Sequence, residues 1–183
     1  ELINQSKEIG TLLSREEGKT LPEGIGEVVR SGQQFQYYAA SALRQFGENI
    51  ASTREGVSVE LTREPIGVCG IISPWNFPIA IAAWKAAPAM AFGNAIVLKP
   101  ASQTPASAIA LTKIISEQKD IPEGLFNLVL GGGGTIGHQI SEHKNINAIS
   151  FTGSVNVGQT IYKEAAKTMK KMQLEMGSKN PLL

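Results

Sequence analysis

The chain has 183 residues, 42% of them hydrophobic, which is enough for one compact domain of the usual size of about 100–200 residues. Its 17 Lys and Arg against 16 Asp and Glu leave a formal net charge of +1, so no global field draws it to nucleic acid or to an anionic membrane, and any anion must be bound at a local site. One cysteine excludes an intramolecular disulfide framework, argues with the two histidines against a metal site, and fits a reducing, cytoplasmic setting. The opening Glu1-Leu2-Ile3-Asn4-Gln5 has no basic n-region and reads as a helix cut open; the close, Asn180-Pro181-Leu182-Leu183, is apolar with no polar tail. Both ends predict a piece of a longer chain. The longest apolar stretch, 79–92, is interrupted by Lys85 and Pro88 and falls short of the roughly 20 residues that cross a bilayer.

Residues 1–50 carry a helical pattern, with Ile9, Leu12 and Leu13 on one stripe. A second helix is expected after the break Pro22-Glu23-Gly24, with Val28, Val29, Phe35, Tyr38 and Ala42 at three- and four-residue spacing. Val57, Val59 and Leu61 alternate with Ser58, Glu60 and Thr62, the period of a strand with one buried face, ending near Pro65. The runs Ile66-Gly67-Val68-Cys69-Gly70-Ile71-Ile72 and Ala95-Ile96-Val97-Leu98 are continuously apolar, as strands buried on both faces are, and the Ala-rich helical stretch 79–92 lies between them. Helical sequence at 106–118 leads to Phe126-Asn127-Leu128-Val129-Leu130, and a shorter helical segment to Ala148-Ile149-Ser150-Phe151. Strands alternating with helices predict an α/β fold: a Rossmann-like, doubly wound, open parallel sheet with flanking helices, preceded by two helices and a strand.

Three strand ends carry polar or glycine-rich turns, at Ser73-Pro74-Trp75-Asn76, Lys99-Pro100-Ala101-Ser102 and Thr152-Gly153-Ser154. Open α/β sheets bind ligands beyond the carboxyl ends of their strands, so the three turns form one candidate site, unless Pro and Gly merely turn the chain. Gly132-Gly133-Gly134-Thr135-Ile136-Gly137 fits the dinucleotide fingerprint G-x-G-x-x-G only formally; no acidic residue closes a strand about 20 residues later, and a flexible turn is the preferred reading. The stretch 153–160 has P-loop spacing, but Gln159 stands where a lysine would meet the outer phosphates, leaving phosphate binding without phosphoryl transfer. Cys69 lies inside an apolar strand with no basic neighbour and reads as core rather than nucleophile. His138 and His143 read as surface residues of a helix. Lys99 and Glu175 each follow apolar sequence, either as snorkelling surface charges or as site residues.

Five motifs in order, Arg63-Glu64-Pro65-Ile66-Gly67-Val68, Pro74-Trp75-Asn76-Phe77-Pro78, Val97-Leu98-Lys99-Pro100-Ala101, Phe151-Thr152-Gly153-Ser154 and Leu174-Glu175-Met176-Gly177-Ser178-Lys179-Asn180-Pro181, resemble the aldehyde dehydrogenase superfamily along nearly the whole chain. The resemblance implies oxidation of an aldehyde to a carboxylic acid with a nicotinamide cofactor, through a cysteine thioester that water hydrolyses. It implies catalytic roles for Asn76, as the amide of an oxyanion hole, and for Glu175, as the base for the hydrolytic water. It further implies cofactor contacts at Ser73, Pro74, Trp75, Asn76, Lys99, Ala101, Ser102, Phe151, Gly153, Ser154, Glu175 and Gly177, with Lys99 on the adenosine ribose and Gly153 and Ser154 on the pyrophosphate. In this family the helix after Ser154 takes the place of the G-x-G-x-x-G turn.

Where many NAD-preferring members have a glutamate on the ribose hydroxyls, this chain has Ser102, which removes a charge that would repel a 2′-phosphate; NADP is the expected cofactor, with NAD as the other candidate. Met176 and Ser178 stand where Leu and Gly are common. By resemblance the nucleophilic cysteine follows the glutamate motif and falls beyond Leu183, so the piece itself is expected to be inactive. The resemblance divides the chain into N-terminal helices at 1–55, an oligomerisation-arm strand at 56–64, and part of an NAD(P)-binding domain at 65–183, in a parent expected to be a homo-oligomer. The wording of 12–21 is similar to semialdehyde dehydrogenases, implying a small carboxylated aldehyde as substrate. Two other readings stand beside this one: a non-catalytic dinucleotide-binding module and a free-standing anion-binding domain.

Overall fold

The computed structural model describes residues 1–44 and 47–179, so Asn180 and Pro181 of the last motif, and the apolar end at 182–183, lie outside the described residues. Helix α1 (Ser6–Glu17) stops at Gly18, whose φ of 99° only glycine adopts readily and whose N–H closes on the Ser14 carbonyl. Helix α2 (Leu21–Ala42) starts at once. The Glu23 carboxylate accepts hydrogen bonds from the Thr20 amide (3.1 Å) and hydroxyl (2.6 Å), which hold its pKa down. The interhelix break therefore falls at 18–20 rather than at Pro22-Glu23-Gly24. Pro22 sits in the first turn of α2, where its missing N–H leaves no bond unmade.

Strands β1 (Glu48–Ala51) and β2 (Ser58–Leu61) form an antiparallel hairpin with Ile50 opposite Val59 and Glu48 opposite Leu61. Every residue of both strands is exposed, so the buried face that the alternation predicts is not buried here. Ile50, Val59 and Leu61 lie on one side of a two-stranded ribbon separate from the larger sheet, and all three are exposed. Strand β1 lacks the alternation that would reveal it in the sequence.

The remaining elements are β3 (Val68–Ile72), α3 (Ala80–Ala91), β4 (Ala95–Lys99), α4 (Pro105–Ser116), β5 (Phe126–Leu128), a π-helical turn (Gly133–Gly137) running into α5 (His138–Glu142), β6 (Ala148–Gly153), α6 (Val155–Ala166) and β7 (Lys171–Met176). Strands β3 to β7 form one parallel sheet in the order β5-β4-β3-β6-β7. The chain winds outward through β4 and β5, returns past β3, and winds the other way through β6 and β7. The switch point lies between β3 and β6, where open α/β sheets bind ligands.

Alternation along the strands divides the core in two. Ile71, Ile96 and Leu98 pack under α3 and α4, behind which Leu13 and Val28 of α1 and α2 continue the same cluster. On the other face Ile72, Ile149 and Phe151 pack under α5 and α6. Sequence reading missed β7, because only Met172 and Leu174 pack against that second cluster and the alternate positions are polar. Cys69 is half-buried in β3, and burial pushes its thiol pKa up, as expected of a structural residue. Among the described residues no helix is long and apolar enough to cross a membrane.

Candidate functional site

All five strands of the large sheet point the same way, so the turns after β3, β4, β6 and β7 open on one edge. Three long helices begin at that edge, and each presents first-turn amides that need acceptors. At α3, the Glu27 carboxylate accepts from the amides of Ile79 and Ala80, both at 3.0 Å. At α4, the Glu16 carboxylate accepts from the amides of Ala106 and Ser107 and from the Ser107 hydroxyl. Thr104, in the N-cap position of α4, is left with a buried hydroxyl that has no partner among the described residues, because Glu16 occupies the amides it would otherwise cap. At α6 no carboxylate arrives: Ser154 caps the Val157 amide with its own side chain, and the amides of Val155 and Asn156 have no acceptor among the described residues.

The open helix end borders a cavity of about 460 Å³ between the π-helical turn, α5 and α6, lined by Ile72, Gly133, Gly134, Gly137, His138, Val157 and Ile161 among others. The glycine run is thus an ordered wall rather than a flexible turn. The amides of Thr135, Ile136 and Gly137 all close on the Gly132 carbonyl, which winds the segment into α5. Gly153 allows the close approach at the foot of α6, since a Cβ there would lie 2.5 Å from the buried Phe151 ring. Lys99, at the end of β4, is buried rather than snorkelling. Its Nζ donates to the carbonyls of Pro100 and Gly131, and burial pushes its pKa down. An ammonium has three donors, so one remains. Ser102, exposed, donates to the same Gly131 carbonyl at 3.4 Å, and Ala101 and Pro74 are half-buried beside their strand ends.

Glu175 and Asn76 lie on the other side of the sheet edge. Ser150, Thr152, Gln173 and Glu175 alternate onto the α3 face. The Glu175 carboxylate accepts from Thr152 Oγ1 (3.3 Å) and Gln173 Nε2 (3.1 Å), and lies 4.0 Å from Lys85 Nζ of α3. Lys85 is buried and donates to Ser150 Oγ at 2.9 Å; burial pushes its pKa down, partly offset by the Glu175 charge. Asn76 is exposed in the turn after β3 with Trp75 and Phe77, and its side-chain amide has no hydrogen bond among the described residues. Ser73, buried at the root of that turn, has a hydroxyl with no partner among the described residues. Gly177 follows β7 with open space where a Cβ would sit.

The fold thus brings the turns at 73–76, 99–102 and 152–154 and the end of β7 to one edge, but divides them between two faces. Sequence reading missed Lys85, which it met only as an interruption of apolar sequence; a lone charge in a helix apolar on every side was the available signal. It also missed the contribution of the glycine run to the cavity, and the two carboxylates that close α3 and α4. His138 and His143 are exposed as expected, His138 lying 3.2 Å from Glu142.

A sequence model of the aldehyde dehydrogenase family matches residues 1–183. The alpha-ketoglutaric semialdehyde dehydrogenase of Bacillus subtilis is 46% identical over 97% of this chain, and the NADP(+) succinate-semialdehyde dehydrogenase of Saccharomyces cerevisiae is 38% identical over 100% of it. The chain spans 36% and 37% of the lengths of these two relatives. A betaine aldehyde dehydrogenase from Staphylococcus aureus, crystallised in complex with NAD+, superposes on 98% of the chain and 36% of its own, with a TM-score of 0.95 and 36% identity. A family match over every residue, with the same sheet and helices recovered in a solved relative, leads to one conclusion: the chain belongs to the aldehyde dehydrogenase family.

Proposed function

We propose that this chain forms the N-terminal helices (1–55), the oligomerisation arm (56–64) and part of the dinucleotide domain (65–183) of a cytoplasmic, homo-oligomeric NAD(P)-dependent aldehyde dehydrogenase. Its substrate is a small semialdehyde, converted to the acid through a cysteine thioester. The nucleophile comes from outside this chain, since Cys69 is a half-buried strand residue with a raised pKa. The observation that carries the reading is the unequal treatment of the three helix ends. The carboxylates of Glu27 and Glu16 exclude an anion from α3 and α4, and of these three helices α6 alone offers free amides among the described residues, beside an apolar cavity and a buried lysine.

These residues fit a dinucleotide. Gly153, Ser154 and the first amides of α6 would hold the pyrophosphate. The cavity walls Gly133, Gly137 and Val157 would take the base, and Lys99 with its spare donor would take the ribose. Ser73, Pro74 and Trp75 line the path across the edge to the α3 face, with the unpartnered Ser73 hydroxyl available to a polar group. Ala101, Phe151 and Gly177 support that path from the strand ends. The dinucleotide, when bound, supplies the hydride acceptor. Asn76 directs its side-chain N–H toward the oxyanion formed when the aldehyde carbonyl is attacked. Glu175 takes a proton from the hydrolytic water, held in place by Thr152, Gln173 and Lys85. With no acidic residue beside Lys99, and Ser102 there instead, a 2′-phosphate meets attraction, so NADP is preferred over NAD. The yeast relative named for NADP(+) supports that preference, and the NAD+ complex of the Staphylococcus protein supports the alternative.

The test is NADP and NAD reduction by the full-length protein with succinate and 2-oxoglutarate semialdehydes. Turnover with preference for NADP is expected. Tight dinucleotide binding without turnover on any aldehyde would instead favour a non-catalytic module, and absence of both would overturn the reading.

A further inference from the structure

The turn that carries Asn76 is held from below by charges that the proposed chemistry does not use. Lys19, between α1 and α2, is 10% exposed at its side chain, and Glu27 of α2 is 2% exposed. Lys19 Nζ donates to Glu27 Oε2 at 2.6 Å and, at 2.9 Å, to the backbone carbonyl of Asn76 itself. The same ammonium lies 4.1 Å from the centre of the Phe77 ring. The other oxygen of Glu27 takes the amides of Ile79 and Ala80. One ion pair therefore grips the backbone at 76, 79 and 80 and the side chain at 77. Nothing else among the described residues bonds to Asn76.

We propose that the buried Lys19–Glu27 pair is a positioning device that sets the backbone of Asn76, and so the direction of its amide toward the reacting carbonyl oxygen. The inference rests on the oxyanion role proposed for Asn76. A bare structural brace would satisfy the α3 amides with Glu27 alone; the bond from Lys19 to the Asn76 carbonyl ties the pair to the functional residue. Oxyanion donors act only when aimed at where charge develops, and small misplacements are expensive in rate.

The experiment is a double-mutant cycle in the full-length protein, reading the rate of NADP reduction in a single turnover at saturating NADP and succinate semialdehyde. Asn76→Ala alone is expected to slow this rate by about 10²- to 10³-fold. Lys19→Gln, which keeps polarity and loses the charge, is expected to slow it by about 10- to 100-fold in the parent sequence. In the Asn76→Ala background the same change is expected to act by less than about twofold, because the amide it positions is gone. NADP affinity should be unchanged by the Lys19 substitutions. Lys19→Arg restores the charge with different geometry. Its smaller loss must likewise vanish without Asn76, and it serves as the test if Lys19→Gln does not fold. If Asn76→Ala slows turnover and the losses multiply, the oxyanion role stands and the positioning role is overturned. If Asn76→Ala leaves the rate unchanged, the oxyanion role fails and takes the positioning role with it.

Discussion

Helices α3 and α4 differ from α6 in what meets their first turns, although all three begin at the same sheet edge. The first two receive carboxylates from the N-terminal helices, Glu27 to α3 and Glu16 to α4. Among the described residues the third receives only its own serine. Dipole, orphan amides and position at the edge are alike, so helix geometry alone would not single out α6 for the phosphate role proposed above; the closures at α3 and α4 do. The N-terminal helices thus do more than extend the core. They fasten half of the edge and leave the other half open.

Removing the closures tests the fastened half. Glu27→Ala removes the nearer of the two carboxylates around Lys19, leaving Glu17 at 3.7 Å, and strips two α3 amides of their acceptor; breaking a buried pair from one side costs about 3–5 kcal/mol, and the remaining Glu17 contact places the loss toward the low end. We expect a loss of that size in urea unfolding of the full-length protein. A loss below about 1 kcal/mol would mean that water closes α3 equally well. Glu16→Ala should cost less, about 2 kcal/mol for its charge-assisted bonds, because the unpartnered Thr104 hydroxyl already stands in the N-cap position and can take over. If that compensation operates, Glu16→Ala combined with Thr104→Ala exceeds the sum of the separate losses; simple additivity would refute it.

Much of this edge was legible in the sequence, and the illegible parts share a cause. The apolar runs of β3 and β4, the Ala-rich α3 and the turns at 73–76, 99–102 and 152–154 announce themselves, because a parallel strand buried on both faces and a strand-to-helix turn each carry a local composition. Glu16 and Glu27 do not. They lie in polar helical sequence, about 90 and 52 residues before the amides they cap, and nothing local distinguishes a carboxylate that closes a distant helix from one facing water. Strand β7 was missed because it is an edge strand with one apolar row, and the hairpin was half-missed because Glu48-Asn49-Ile50-Ala51 carries no alternation. The glycine run misled in the other direction. Its composition suggests a flexible turn, while three amides converging on the Gly132 carbonyl make it an ordered wall of the cavity.

The open half is tested by closing it. Ser154→Asp places a carboxylate at the first turn of α6, which should leave stability unchanged or raise it by about 0.3–1 kcal/mol while weakening dinucleotide binding by about tenfold or more. Opposite signs in a thermal melt and an NADP titration are the expected signature; affinity that survives the change would remove α6 from the site. A smaller charge change sharpens the selectivity of the same half. Ser102→Glu should shift the ratio of NADP to NAD affinity toward NAD by about tenfold through repulsion of the 2′-phosphate. An unchanged ratio would detach Ser102 from the adenosine end.

The smallest expected effect is one of pH. Burial lowers the pKa of Lys99, so its ammonium is lost at lower pH than an ordinary lysine's. Bound 2′-phosphate favours the charged form and raises that pKa, so NADP binding takes up protons, and by linkage NADP affinity falls as pH rises through the range set by Lys99. NAD, which lacks the phosphate, should lose much less, and the preference for NADP should narrow a few-fold into the alkaline range. Arginine stays protonated there, so Lys99→Arg should bind both cofactors with a ratio that no longer changes with pH. A ratio with the same slope in both proteins would mean that another group carries the charge, and Lys99 would then serve the ribose by hydrogen bonding alone.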